Sequence, residues 1–277
     1  MGLKINTNVS SLAAQRALSV TKNNMDNNLR KLSSGERITR ASDDAAGLAI
    51  SEKLKANIRG LRQAKRNSDD GISLIQVAEG AINEVSNIIV RLRELSIQAA
   101  SDTVGESERK FSDVEFQQLL SEVQRISEST EFNGRSLLDG TGGMVEIQVG
   151  LKNNPTNDRI KYDSSSTDIT LETLGLLGEN ITTKEGAQLS LAKLDDALQR
   201  VSGTRANLGA LQNRLQSTST SLAIADENLS AANSRIRDVD IAAETAELTK
   251  NNILSQAGVS VLSQANQSPN FALKLLS

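Results

Sequence analysis

A strict heptad repeat towards the carboxyl end constrains the fold of this chain more than any other feature. Large aliphatic residues recur every seventh position without exception: Leu194, Val201, Leu208, Leu215, Leu222, Leu229 and Ile236. Three residues after each comes a second position that is mostly small or Thr: Ala197, Thr204, Leu211, Thr218, Ala225, Ala232 and Val239. Since this spacing lines one side of an α-helix, residues 187–240 are predicted to form one long helix that packs against a second helix of similar length.

The partner helix is predicted at residues 45–100. Its apolar and small residues follow alternating steps of three and four: Ile75, Ala78, Ile82, Val85, Ile89, Leu92, Ser96 and Ala99, extended backwards by Leu54, Leu61 and Ala64. A third helix is predicted at 106–129, with a core face of Phe111, Val114, Leu119 or Leu120, Val123 and Ile126. Only 2% of residues are aromatic and only two are Pro, so long helices can run uninterrupted. We therefore predict a mainly α fold, a long antiparallel helical bundle or coiled-coil rod.

Residues 130–185 have a different character. Glycines are frequent, and the stretch MVEIQVG alternates apolar and polar residues, with Val145, Ile147 and Val149 on one face. The stretch RIKYD follows across a loop rich in Asn and Pro. This pattern predicts a small β-hairpin, and the remaining residues of the region read as loop and short irregular structure.

The two ends of the chain resemble each other in pattern. Each shows a weak apolar stripe at helical spacing, which predicts paired terminal helices: Ile5, Val9, Leu12, Leu18, Met25, Leu29 and Leu32 at one end, and Ile241, Leu248, Ile253, Leu254, Val259, Leu262 and Ala265 at the other. Both stripes are interrupted by Asn or Gln, which are modest helix formers. Either segment alone would be marginal in water and needs a partner.

The stretch SSGERITRASDDAAGLAIS, residues 33–51, admits three interpretations: a phosphate-binding loop, a carboxylate pair or a joint between helices. The P-loop spacing from Gly35 to a Gly-Lys-Ser/Thr triplet is missing. Asp43 and Asp44 come directly before a helical run, where a side-chain oxygen can accept from free N–H groups and negative charge is favourable. Gly35 suits the end of the preceding helix. The stretch is predicted to be a joint.

Composition excludes several functions. The chain has no Cys and no His, which rules out thiol chemistry, disulfides, His-based triads and Cys or His metal sites, and no cofactor is expected. The amino-terminal stretch lacks the pattern of a cleavable signal peptide, and no apolar run reaches the roughly 20 residues that span a bilayer, so no membrane partner is expected. Residues 1–66 hold 13 Lys and Arg against 5 Asp and Glu, but no aromatic that could stack on a base. An acidic partner, which could be another copy of the chain, is therefore favoured over nucleic acid.

Long motifs resemble the bacterial flagellins. The stretches INTNVSSLAAQRALS, LRKLSSGERITRASDDAAGLAISEKL and RLRELSIQAASDT resemble the amino-terminal half of that family, and LGALQNRLQSTSTSLAIADENLSAANSRIRDVDIAAETAELTKNNILSQAGVSVLSQANQSP resembles its carboxyl-terminal half. Only about 45 residues separate the two halves, so the resemblance is to a short form without the variable outer domains. It implies a self-assembling structural subunit of the swimming filament, with no catalysis. The alternative is a related flagellar rod protein such as a hook–filament junction protein.

The resemblance also implies an organisation. Residues 1–42 and 241–277 would form an inner coiled-coil domain that is disordered before assembly, and residues 43–240 an outer helical rod with the hairpin and loops at 130–185. Inner-core assembly would use Ile5, Val9, Leu12, Leu29, Leu32, Val259, Leu262, Leu273 and Leu276. Subunit contacts at the joint would use Gly35, Glu36, Arg37, Arg40, Asp43 and Asp44.

The implied partners are further copies of the chain, a flagellar export chaperone, and the filament cap and hook–filament junction proteins. Export would proceed without a cleavable signal peptide to the extracellular filament. The apolar end, with Phe271, Leu273, Leu275 and Leu276, suits a chaperone groove. Arg91, Leu95 and Glu115 match the positions at which family members contact Toll-like receptor 5.

Overall fold

The computed structural model describes the backbone of residues 7–274 and the side chains of residues 7–267. Its helices are α1 (Val9–Ser34), α2 (Ala45–Ala99), α3 (Glu106–Ser129), α4 (Leu171–Leu174), α5 (Lys184–Arg237) and α6 (Ile241–Lys274). Four short strands lie between α3 and α4: β1 (Glu131–Phe132), β2 (Arg135–Ser136), β3 (Met144–Gln148) and β4 (Arg159–Asp163). The predicted mainly α fold of long helices with a small hairpin region is confirmed.

Contacts divide the chain into two compact units. The terminal unit comprises Met1–Ile58 and Asn228–Ser277, and the central unit comprises Arg59–Glu227. Helices α2 and α5 contribute residues to both units. The division into 1–42 plus 241–277 and 43–240 concerns the layers of an assembled filament and stays a prediction.

The core of the central unit is built on the antiparallel pairing of α2 and α5. Every residue of the predicted register from Ile75 to Ala99 is buried, as are Leu194, Val201, Leu208 and Leu215 from the heptad repeat. Two hydrogen bonds at the edges of the helix interface fix the alignment of α2 with α5. Ser219 Oγ donates to Asp69 Oδ1 (2.9 Å), and Arg93 Nε donates to Asp195 Oδ1 (2.6 Å). Each fully buried aliphatic side chain contributes about 1.5–3 kcal/mol, so the buried residues of both helices are a large part of the stabilisation of this unit.

Helix α3 has the predicted bounds, but its predicted core face was partly wrong. Phe111 is 76% exposed and Val114 is 62% exposed, whereas Phe116, Leu120 and Val123 are buried. Position 116 lies about 140° around the helix from position 111, so the two Phe residues cannot share a face. The buried set follows the i, i+4, i+7 spacing that faces a core.

The predicted hairpin is confirmed as β3 paired antiparallel with β4, with Val145 opposite Tyr162 and Ile147 opposite Ile160. The Tyr162 hydroxyl donates to the carbonyl oxygen of Leu137 at 2.7 Å, which satisfies a buried polar group. A second, smaller hairpin of β1 and β2 was missed. Its turn is Asn133-Gly134 with φ values of 52° and 74°, the conformation that an Asn-Gly pair adopts readily.

In the terminal unit, α1 and α6 pack against each other along their length. Asn8 caps α1 by accepting from the Ser11 N–H (3.0 Å), and the helix ends at Gly35, whose φ of 70° is a left-handed cap conformation. Apart from Lys31, the partly or fully buried residues of the two helices recur in steps of three and four and are called the terminal seam: Ser11, Ala14, Leu18, Thr21, Met25, Asn28 and Leu32 from α1, and Glu244, Leu248, Asn251, Ser255, Gly258, Leu262 and Ala265 from α6.

The terminal stripes predicted from the sequence were only partly right as contacts within the chain. Leu18, Met25, Leu32, Leu248, Leu262 and Ala265 lie in the terminal seam, but Val9, Leu12, Leu29, Ile241, Ile253, Leu254 and Val259 are exposed. Polar residues take the vacated seam positions, since Ser11, Asn28 and Asn251 are the buried side chains that α1 and α6 show among the described residues. Ile5 lies outside the described residues.

Candidate functional site

The joint, residues 35–44, is held to the end of α5 by main-chain hydrogen bonds within the terminal unit. The Arg37 N–H donates to the Arg237 carbonyl oxygen (2.6 Å), and the Val239 N–H donates to the Gly35 carbonyl oxygen (3.0 Å). The Arg37 side chain adds a bond from Nη2 to the Ile236 carbonyl oxygen (2.6 Å). The chain after α1 is therefore fixed against the α5–α6 connection.

Arg237 anchors this arrangement electrostatically. Its Nε lies 2.8 Å from Glu36 Oε1, its guanidinium also pairs with Glu52, and its side chain is only 14% exposed. The hydrogen bonds to Glu52 and then Glu36 raise the pKa of Arg237 above its already high ordinary value. A half-buried guanidinium that serves two carboxylates is a strong positional constraint.

The two aspartates of the joint serve the backbone. Asp43 Oδ2 accepts from the N–H of Arg40 (2.9 Å) and from the hydroxyl and N–H of Thr39 (3.0 and 3.1 Å), and these bonds, that from Arg40 first, lower the pKa of Asp43. Asp44 Oδ1 accepts from the Gly47 N–H (2.8 Å), which caps the start of α2. The expected helix cap is observed at Asp44, and the role of the stretch as a joint between two helical layers stays a prediction. A polar cleft of about 350 Å³ lies beside it, lined by Arg30, Lys31 and the joint.

The most unusual surface of the terminal unit is apolar. We call the following exposed side chains of α1 and α6 the outer apolar face: Val9, Leu12, Val20, Leu29, Ile241, Ile253, Leu254, Val259 and Val261, each between 47% and 63% exposed. Among the described residues of the two helices, no Leu, Ile, Val or Met is fully buried. Nine exposed aliphatic side chains on two paired helices exceed the scattered single residues that a solvent-facing surface normally shows, and they favour an interaction site.

The inner-core residues named from the sequence divide between these surfaces. Val9, Leu12, Leu29 and Val259 lie on the outer apolar face, whereas Leu32 and Leu262 lie in the terminal seam. Ile5 and the carboxyl-terminal set of Phe271, Leu273, Leu275 and Leu276 lie outside the residues whose side chains are described.

Arg91, Leu95 and Glu115 are brought close together in the central unit, but not on one surface. Arg91 Nε donates to Glu115 Oε1 (3.0 Å) and its Nη1 donates to Glu94 Oε2 (3.0 Å), and both Arg91 and Glu115 are about half exposed. The pairing with Glu94 and then Glu115 raises the pKa of Arg91. Leu95 is 2% exposed and belongs to the core beneath them.

No arrangement for metal or membrane chemistry emerges from the part of the chain that the structure describes. Its acidic side chains include no cluster of three or more that is placed to hold a metal ion. None of its helices combines the length and the hydropathy that crossing a bilayer requires. A groove of about 720 Å³ between α2, the β1–β2 hairpin and β3 is lined by mixed polar and apolar groups such as Asn67, Leu74 and Met144.

Sequence reasoning missed Arg237 and the buried pair Asn28 and Asn251. The carboxylates that Arg237 contacts lie far away in sequence, so only its position after a long heptad run could have drawn attention to it. Asn28 and Asn251 interrupt the apolar stripes and therefore look like breaks, although both fall on the 3–4 spacing of the terminal seam.

Comparison with known proteins is consistent along the whole chain. The profile of the bacterial flagellin N-terminal helical region matches residues 5–142, and that of the bacterial flagellin C-terminal helical region matches residues 191–276. A flagellin of Halalkalibacterium halodurans is 48% identical over 98% of this chain and 99% of its own length. The flagellar filament 30.7 kDa core protein of Treponema maltophilum is 42% identical over 99% of both chains. The crystal structure of Bacillus cereus flagellin superposes with a TM-score of 0.51 at 32% identity, over 57% of this chain and 88% of that one.

Proposed function

The chain belongs to the bacterial flagellin family and is a structural subunit of the flagellar filament, and from this premise we propose that its terminal helices form the self-association core. In this proposal residues 1–42 and 241–277 make the inner layer of the filament and residues 43–240 the outer layer. The observation that carries it is the arrangement of α1 and α6, in which no described Leu, Ile, Val or Met is fully buried and nine described Leu, Ile and Val side chains are about half exposed.

Burial energies favour ordering on assembly. More than half of the terminal seam is Ser, Thr, Asn, Gly and Ala, and its Leu and Met residues are only partly buried, so the α1–α6 pair alone gains less from burial than the central core does. By contrast, each Leu, Ile or Val of the outer apolar face would contribute about 1.5–3 kcal/mol if a neighbouring subunit covered it. Terminal segments that cannot bury enough apolar surface by themselves would become ordered only when subunits associate.

The joint would link the two layers and contact neighbouring subunits. Gly35, Glu36, Asp43 and Asp44 are held by bonds within the chain, whereas Arg40 presents its side chain to solvent. Reversing the charge at Arg37 or Arg40 should alter polymerisation or filament shape. Unchanged polymerisation and motility in both variants would remove these residues from the interface.

The remaining partners are proposed on the strength of family membership. An export chaperone would hold the end of the chain that contains Phe271, Leu273, Leu275 and Leu276, and export without a cleavable signal peptide would deliver the subunit to the cap at the filament tip. Hook–filament junction proteins would contact the first subunits. Toll-like receptor 5 would meet the exposed Arg91 and Glu115, with Leu95 supporting them from the core. A junction protein as the function of the chain itself has no specific observation in its favour.

Seeded polymerisation tests the proposal. Leu254 is 47% exposed on the outer apolar face, so Leu254→Glu should abolish or severely slow growth from seeds, because a charge would be buried at the interface. Leu254→Met keeps the surface apolar and should polymerise normally. Deleting residues 241–277 should leave a soluble monomer that cannot polymerise. Filaments from the deleted chain, or equal growth of the Glu and Met variants, would contradict the proposed role of the ends.

A further inference from the structure

Two amides lie opposite each other in the terminal seam, towards its end at the joint. Asn28 is 6% exposed and Asn251 is 4% exposed, so both are more deeply buried than any described aliphatic side chain of α1 or α6. In the amide orientation that satisfies both groups, Asn28 Oδ1 accepts from Asn251 Nδ2 (3.1 Å). Asn28 Nδ2 then donates to Glu244 Oε1 (3.0 Å) and to the Asn24 carbonyl oxygen (2.9 Å).

The amide pair is part of a longer polar contact between the helices. Lys31 Nζ lies 3.5 Å from Glu244 Oε1, so the same carboxylate binds Lys31 and Asn28. At the far end of the terminal seam, Ser11 Oγ donates to Asn266 Oδ1 (2.7 Å). Both polar contacts require the same alignment of α1 against α6.

Apart from the main-chain bonds of the joint, which tie the end of α1 to the start of α6, the rest of the terminal seam does not select that alignment. Its residues recur in steps of three and four on both helices, so a slip of seven residues superposes the stripes again. Between the polar contacts, small residues such as Ala14 and Ser255 alternate with larger ones such as Leu18, and the larger ones also recur every seven residues. After such a slip Asn28 would face Gly258 or Glu244, which already accepts from it, and the buried Asn251 would lose its hydrogen bond to Asn28. A buried amide without a partner is strongly disfavoured.

We propose that Asn28 and Asn251 are the specificity-determining pair that fixes the register of α1 against α6, at the expense of the stability that apolar residues would give there. A helical polymer of identical subunits needs the same surface on every copy, and one register gives each subunit the same outer apolar face. The functional consequence rests on the proposed assembly role, whereas the register itself does not.

The chain contains no Cys, so introduced cysteine pairs report the register directly. Ser11→Cys with Asn266→Cys joins two side chains that are in contact in the observed alignment. Ser11→Cys with Val259→Cys joins positions that would meet only after a slip of seven residues. The full-length protein is brought to polymerising conditions with seeds and treated with a mild oxidant. Intramolecular disulfides are then quantified in the pellet and in the soluble fraction.

Both reporter pairs are placed in five backgrounds: the parent chain, Asn28→Leu, Asn251→Leu, the double Leu variant, and Thr21→Leu. Thr21 is a seam residue whose hydroxyl bonds within its own helix, to the Ala17 carbonyl oxygen, so Thr21→Leu adds apolar surface without touching the amide pair. The parent and Thr21→Leu should give the observed-register disulfide almost alone. In the double Leu variant the ratio of observed to slipped disulfide should fall by at least about tenfold.

The single Leu variants separate pairing from bulk. Each single variant leaves one buried amide without the other, which destabilises the α1–α6 pair. The yield of the observed-register disulfide in each single variant should therefore be lower than the combined yield of both disulfides in the double Leu variant. If the double Leu variant keeps the parent ratio, or forms neither disulfide, the register proposal is wrong. Absence of the observed-register disulfide in the parent overturns it as well. Failure of the parent chain to polymerise would instead contradict the assembly role, which the pellet reports independently.

Discussion

The central unit and the α1–α6 pair use the same 3–4 spacing with opposite results. In the central unit Ile75, Ile82 and Leu92 are fully buried, and the exposed apolar side chains of the same helix, such as Val77, Val90 and Ile97, lie outside this register. In the α1–α6 pair the buried side chains are polar, the Leu and Met residues of the terminal seam are only partly buried, and further Leu, Ile and Val residues are exposed. The difference teaches that heptad spacing establishes which residues of a helix face another helix. Under the proposed assembly, residue type then decides whether that other helix belongs to the same chain or to a second subunit.

The same Leu→Ala change in each region is the strongest way to break this comparison. Leu92 is fully buried, so Leu92→Ala should lower the free energy of unfolding of the soluble monomer by about 2–5 kcal/mol. Leu262 is only partly buried, so Leu262→Ala should cost clearly less, about 1 kcal/mol. Urea unfolding followed by circular dichroism measures both. Equal losses would show that the terminal seam is a core like that of the central unit.

Within the terminal unit, the contacts of Arg237 should matter more than any apolar contact of the α1–α6 pair. Arg237→Met keeps much of the side-chain volume but leaves Glu36 without its guanidinium partner, so a loss of about 1–3 kcal/mol is expected, together with faster proteolysis at residues 35–44. Glu52 is 56% exposed on its side chain, and Glu52→Gln should change stability by less than about 0.5 kcal/mol. If Arg237→Met left the free energy of unfolding unchanged, the main-chain bonds alone would hold the joint.

Replacing glycines by Ala compares how tightly the central core and the terminal seam are packed. A Cβ at Gly71 would lie 2.6 Å from Ile147 Cδ1 and 3.3 Å from Leu215 Cδ1, so crowding in the central core should offset the helix-propensity gain of Gly71→Ala. Gly80 has open space around it, and Gly80→Ala should stabilise by about 0.5–1 kcal/mol. Gly258→Ala meets only Leu18 Cδ1, at 3.3 Å, and should be tolerated better than Gly71→Ala in thermal unfolding. The reverse order would place the tighter packing in the terminal seam.

The smallest effect on the free energy of unfolding is expected at Asp69, at the edge of the α2–α5 interface. Hydrogen bonds from Lys65 and then Ser219 lower the pKa of Asp69 in the folded state. Its contribution to stability is therefore fully present above the unfolded-state pKa of about 3.9 and is lost as pH falls through the lowered folded-state pKa. Because Asp69 is 47% exposed, Asp69→Asn should cost only a few tenths of a kcal/mol at pH 7, and this loss should shrink as the pH falls through the lowered folded-state pKa. A pH-independent loss would assign the effect to geometry and not to charge.

Local signals in the sequence were sufficient for much of the fold. The spacing predicted α2 and α3 to within about one residue, alternation predicted β3 and β4, and Gly35 and Asp44 marked the two helix ends of the joint. These features depend on neighbours within one or two turns, where composition decides the conformation.

The misses depend on contacts between distant residues. Two apolar stripes overlap on α3, and only tertiary packing selects Phe116 over Phe111. Asn28 looks like an interruption until Asn251 is placed opposite it, and the partners of Arg237 lie 185 and 201 residues away. Sequence pattern gives the face of each helix but not the residue that will lie across from it.

Amide hydrogen exchange on the soluble monomer and on the polymer tests the central claim most directly. In the monomer, amides of α1 and α6 should exchange rapidly through local opening, while those near Ile82 and Leu92 exchange only at the rate of global unfolding. On polymerisation, α1 and α6 should show the largest gain in protection, because the outer apolar face becomes covered. Terminal helices that are as protected as the central core in the monomer, and unchanged in the polymer, would contradict the account.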